Sequence, residues 1–155
     1  HFTIIKSNEN SFTPDSSRDS FGNIPEMQAA DPNVKSSSGS GGTIGFNPSS
    51  TQGGLNTSGN LNRPSFIALG HEMFHGRDSN RGEYYFGKDV KTYQSSYQGL
   101  LKSEWRAVYY ENILRSQSGI PLRTHYGITI TPSGPTPSGP KLLDSNNQPI
   151  NYKVQ

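Results

Sequence analysis

Arg63-Pro64-Ser65-Phe66-Ile67-Ala68-Leu69-Gly70-His71-Glu72-Met73-Phe74-His75-Gly76 is the stretch whose reading decides the fold. Pro64 suits the first turn of a helix, where its missing N–H has no partner to lose. The apolar residues that follow surround the axis almost completely, which is the pattern of a buried helix, and Gly76 is expected to end it. Yet this helix carries His71, Glu72 and His75, and polar groups buried without partners are costly. Their spacing supplies the reason. Residues i and i+4 share one face, so the imidazoles of His71 and His75 can point at a single ion. Glu72 adjoins the first of them and can reach a water on that ion without ligating it, the position of a general base. The expected centre holds one zinc per chain.

A catalytic zinc with two imidazoles needs one further protein ligand and an open water position. A second helix is expected from about Gly99 to Ser118, stopped by Ser118-Gly119-Ile120-Pro121. Counting 100° per residue from Leu101, the inward stripe is drawn by Leu100, Ala107, Val108 and Leu114. Glu104 at about 300°, Glu111 at about 280° and Arg115 at about 320° fall inside that stripe instead of opposite it. Glu104 is therefore the expected third ligand. Glu111 is expected to accept the remaining N–H of a ligand imidazole, with Arg115 pairing one of the acids, while a purely structural Glu111–Arg115 pair at i, i+4 stays open. Asp78 and His125 are the weaker competitors for the third position: a carboxylate just past Gly76 caps or stays solvated, and a single downstream His more often lies at the surface.

The rest of the chain bounds these readings. At 155 residues it fits one domain. Without cysteine there is no disulfide and no thiolate ligand, so a metal must be held by His and carboxylates. A net charge of +2, with scattered basic residues, announces no nucleic-acid partner, and no apolar run reaches membrane-spanning length. Residues 1–42 read as a polar, extended N-terminal part in which Pro14, Pro25 and Pro32 oppose any stable helix. Residues 36–60 hold 7 Ser and 7 Gly in 25 uncharged positions, a linker composition interrupted by Thr43-Ile44-Gly45-Phe46-Asn47-Pro48, an expected edge strand able to hold substrate. Residues 77–98 read as a long irregular excursion. After the β-branched run Ile128–Thr131, the tandem Thr131-Pro132-Ser133-Gly134-Pro135 and Thr136-Pro137-Ser138-Gly139-Pro140 reads as a spacer, and residues 131–155 as spacer plus polar tail. The domain is thus expected over 1–130, with its core at 43–130. The absence of an initiator Met suggests a processed piece of something longer.

Three separated motifs then become specific together: Arg63 to His75, Glu104-Trp105-Arg106-Ala107-Val108 with Glu111-Asn112, and Gly119-Ile120-Pro121-Leu122-Arg123-Thr124-His125-Tyr126. In this order they resemble the bacterial effector zinc metallopeptidases of the NleD type, exported proteins that cut signalling kinases in a host cell. The helix pair with its glutamate ligand is also similar to the gluzincins. The resemblance implies a compact, zincin-like α+β fold with an active-site helix, a second ligand-bearing helix and a small β-sheet with a substrate-binding edge strand. It implies that Arg123 and Tyr126, an R-x-x-Y pair, assist at the substrate carbonyl. It implies a monomeric, secreted or delivered endopeptidase acting on a protein substrate, a host signalling kinase among the candidates, or the C-terminal toxin piece of a larger bacterial protein. The competing reading is a non-catalytic module of a secreted adhesive or scaffold protein clamped by structural zinc. Such sites are usually closed by four ligands and rich in Cys, and they have no use for Glu72.

Overall fold

The HExxH segment lies on α3 (Ser65–Asn80), a 16-residue helix that runs past Gly76. Gly76 does not end it. A Cβ there would meet the Phe2 ring at 3.2 Å, so the glycine lets the neighbouring sheet approach the helix. The end comes at Gly82, whose φ of 70° only glycine adopts without strain, and its N–H returns to the Ser79 carbonyl. The computed structural model describes residues 1–84 and 96–151. Half of the excursion expected at 77–98, including Phe86 and Tyr93, therefore lies outside the described residues, while residues 77–80 are helical.

The N-terminal part is more structured than its prolines suggested. It forms β1 (Phe2–Lys6), β2 (Ser11–Pro14), α1 (Ser17–Phe21) and α2 (Pro25–Ala30). The correction has a local cause. Ser16 caps α1 by accepting the Asp19 N–H, and Pro25 occupies the first turn of α2, where proline starts a helix instead of breaking one. Ile24 and Met27, packed with Phe21 and Val34, form a small apolar cluster of their own.

The expected edge strand is β3 (Gly42–Phe46), but it is not an edge. The sheet order is β1-β3-β2, with β1 parallel and β2 antiparallel to β3. Ile44 is buried at the centre and the edges are β1 and β2. The residues around β3 are likewise no free linker. Thr51 accepts the Arg63 N–H, Leu61 accepts that of Gly53, and the buried Asn56 ties the turn together through Ser58 and Asn60.

A short hairpin, β4 (Ser96–Tyr97) with β5 (Leu100–Leu101), leads into α4 (Lys102–Gln117), so the second helix begins three residues later than expected and Leu101 is exposed. α4 packs on α3. Contact is close because Gly70 faces Leu114, whose Cδ2 would lie 2.6 Å from any Cβ added there. Leu100, Trp105, Val108 and Leu142 make the main apolar cluster, flanked by Tyr126 and Ile150.

Residues 125–141 form a hairpin, β6 (His125–Thr131) and β7 (Gly134–Lys141), so the Pro-rich duplicate is a strand and not a spacer. In a two-stranded sheet both strands are edges. Pro135 and Pro137, two apart, turn their missing N–H groups to the same unpaired side, which strands tolerate. Nor is the segment beyond Pro140 loose: Leu142 and Leu143 are almost fully buried, and the Leu142 N–H reaches the Thr124 carbonyl. Among the described residues, four helices with small sheets make an α+β fold. Among the described residues no helix is long and apolar enough to cross a membrane.

Candidate active site

His71 and His75 stand one turn apart on α3, both buried, with their rings edge to face. Glu104, in the first turn of α4, reaches both: Oε2 lies 3.2 Å from His71 Nε2 and Oε1 lies 3.1 Å from His75 Nε2. One ligand atom from each residue falls within 4.8 Å of the others, a group able to hold a metal ion. Asp78 and His125 are not part of it. Asp78 takes the Arg106 guanidinium at 2.5 and 2.9 Å, and His125 Nδ1 turns to Thr124 Oγ1.

Behind the group lies a buried ionic network. Glu111 is fully buried and accepts from His71 Nδ1 at 3.0 Å, Arg115 Nε at 2.9 Å and Arg123 Nη1 at 3.2 Å. Glu111 thus pairs Arg115 and faces the His71 imidazole. Asn112 clamps the Arg123 backbone, donating to its carbonyl at 3.0 Å and accepting its N–H at 2.8 Å. Arg123 engages Glu111 and the main-chain carbonyls of His125 and Tyr126, and its stem lies against bare Gly54, where a Cβ would stand 2.4 Å from Nε. This holds Tyr126 so that its hydroxyl donates to Glu104 Oε2 at 3.0 Å.

The front of the group is a polar cleft with a volume of about 600 Å³, open to solvent. Glu72 and Tyr126 line it, as do Tyr84, Arg63 and the Asn8–Phe12 segment that leads into β2. Sequence reading passed over these last groups. Tyr84 sat in an apparent excursion, and its ring lies edge-on to His75. Asn8–Phe12 is far off in sequence and carries no motif. Only the first residue of the helix segment, Arg63, gave a signal, as the point where the chain changes character.

The electrostatics favour a cation among the three ligands. Burial opposes protonation of His71, but hydrogen bonds to Glu104 and Glu111 more than offset it and raise its pKa to about 9. Burial likewise opposes ionisation of Glu104, yet the two imidazoles hold its carboxyl far below the usual range. Glu72 moves the other way, its carboxyl raised chiefly by burial. A proton on His71 thus occupies the place a metal would take. Since Glu111 accepts at Nδ1, the Nε2 proton is the one a metal must displace. Uptake of a divalent metal near neutral pH is expected to release about one proton per chain, and apparent affinity should climb with pH until about 9. Titration calorimetry in two buffers of different ionisation enthalpy checks this, and metal uptake without proton release would show His71 neutral beforehand. Because the folded value lies above the ordinary 6.5, His71 stabilises the metal-free fold fully below about that pH and loses this contribution as pH rises through about 9.

Comparison with known proteins agrees in kind. The comparisons with curated proteins and with solved structures return no match. A family model described as an effector protein, Peptidase_M91, matches residues 6–126, from the end of β1 through Tyr126. The match takes in α3, α4 and every residue of the cleft, and the chain belongs to this family of bacterial effector peptidases.

Proposed function

We propose that the chain is a zinc-dependent endopeptidase of zincin-like architecture, with His71, His75 and Glu104 as metal ligands and Glu72 as general base. The observation that carries this reading is the convergence of the three ligand atoms at the wall of an open cleft that also presents a carboxyl of raised pKa and a tyrosine hydroxyl. A structural zinc is typically enclosed by four protein ligands, whereas among the described residues three converge at the wall of an open cleft. Two nitrogen ligands and one oxygen suit zinc.

Zinc held there would supply Lewis acidity toward a water and a peptide carbonyl. The chain's own groups do the rest. Glu72 takes the proton of the attacking water and passes it to the leaving amine, and its raised pKa lets one carboxyl perform both transfers. The Tyr126 hydroxyl, parked on Glu104, is within reach to donate to the carbonyl oxygen as charge develops there. Arg123 is read here as a positioning residue, because three of its nitrogens already serve protein acceptors. Glu111 orients His71 from behind. β2, an edge of the sheet whose approach segment lines the cleft, can take an extended peptide as an added strand. The role sought for β3 thus passes to its neighbour. Membership of an effector family supports a protein substrate and delivery into another cell, for which a host signalling kinase is one candidate.

Metal content by atomic spectroscopy, joined to mapping of new protein termini in treated cell lysate, tests the assignment. Wild type is expected to carry about one zinc and to create termini, and His71→Ala and His75→Ala should lose both. A protein that carries zinc yet creates no terminus in any lysate would leave the structural module as the better account.

A further inference from the structure

The cleft contains one cation that the reaction leaves unused. Among the described residues, Arg63 enters no ion pair: its only side-chain hydrogen bond is from Nη2 to Ser50 Oγ at 3.3 Å, and its Nε is buried without a partner. Buried polar nitrogens are rarely left so. The arginine is also held in place. Its N–H bonds to the Thr51 carbonyl, and its stem lies across Gly53, where a Cβ would stand 2.9 Å from Cδ. Of the other charged groups nearby, Glu72 lines the same cleft outside ion-pair distance of Arg63, and the rest are committed or exposed. Glu111 serves Arg115, Arg123 and His71, Glu104 serves the two imidazoles and Tyr126, and Glu9, on the loop that also lines the cleft, is exposed and outside ion-pair distance. Burial opposes the charge on Arg63; Arg123 and Arg115 act on it as like charges, and Glu111 and Glu72 as opposite ones that make no ion pair with it. A partly buried guanidinium beside two others, with no acid within ion-pair distance, is set up to receive one.

We propose that Arg63 is a specificity residue that pairs an anionic side chain, carboxylate or phosphate, on the polypeptide lying in the cleft. The inference rests on the endopeptidase reading of the site and adds the class of substrate to it. Arginine's planar fork matches either anion in bidentate geometry, and a partly desolvated site strengthens the pair.

The test uses zinc-loaded Glu72→Gln protein, which holds peptides without cutting them, and fluorescent degenerate peptide pools. In each pool one position is fixed as Asp, Glu, phosphoserine, Asn, Ser or Lys. Anisotropy titration is expected to show the acidic pools binding about tenfold or more tighter than Asn or Ser at one position. Adding Arg63→Ala should remove that preference, and Arg63→Lys should keep only part of it. Comparing Asp and Glu with phosphoserine tells carboxylate from phosphate. Zinc itself can attract anions, so only the part lost with Arg63 counts. Equal binding of acidic and neutral pools, or a preference unchanged by Arg63→Ala, overturns the proposal. Zinc content and the urea midpoint report whether each variant folds. If Arg63→Ala fails there, Arg63→Gln takes its place. Cleavage of the best pool by Glu72 protein is scored separately. An Arg63-dependent preference without cleavage would fell the peptidase reading and leave this one standing, whereas cleavage indifferent to charge would do the reverse.

Discussion

Glu72→Gln is expected to fold and to bind zinc as the wild type does while losing cleavage by roughly 10²- to 10⁴-fold, the range a positioned base contributes. Glutamine keeps the size of the side chain and its place on the cleft wall but cannot accept the proton of the attacking water. The metal should stay, because Glu72 lies outside the group formed by His71, His75 and Glu104. Tyr126→Phe gives a useful contrast. It removes the hydroxyl proposed to donate to the developing oxyanion, so turnover should fall by roughly 10²- to 10³-fold with KM nearly unchanged. Peptide cleavage measured alongside metal content separates these effects. Wild-type turnover by the Glu72→Gln protein would sink the mechanism.

The largest expected effect on stability belongs to Glu111→Ala. Its carboxylate is fully buried between the guanidinium groups of Arg115 and Arg123 and the His71 imidazole, and burial alone would push its proton affinity up. Arg123 first, and then His71 and Arg115, instead hold the carboxyl far below the ordinary range. Truncation would leave two cations buried without an anion, a change that costs about 3–5 kcal/mol, against total stabilities of about 5–15 kcal/mol. Urea unfolding of the metal-free protein, where loss of zinc cannot add to the effect, gives the figure as a shift in midpoint at constant slope. A shift worth less than about 1 kcal/mol would mean that water or a rearranged acid reaches the arginines.

How far the sequence could be read depended on how local each signal was. The i, i+4 spacing of His71 and His75 needs nothing but a helix, so it was legible directly. Glu104 and Glu111 were legible one step further, as charges inside an apolar stripe, because α4 keeps the periodicity that makes such a stripe visible. Local rules failed where a second element overrode them. Gly76 reads as a helix stop, but the packing of Phe2 against that turn makes a small residue useful in mid-helix. The Thr-Pro-Ser-Gly-Pro duplicate reads as a spacer until it pairs with β6, whose register places Pro135 and Pro137 where no N–H is needed.

By itself, then, the sequence determined the two helices, the pair of imidazoles, the glutamate beside them and the acids that interrupt α4, since each follows from periodicity within one segment. Only tertiary structure decided which strand is an edge, because sheet order depends on β1 and β2 flanking β3 from a distance. It also decided what the cleft presents. Asn8–Phe12, Arg63, Tyr84 and Tyr126 come together there from four separate parts of the chain, and no local pattern encodes a meeting that is made by packing α3 against both the sheet and α4.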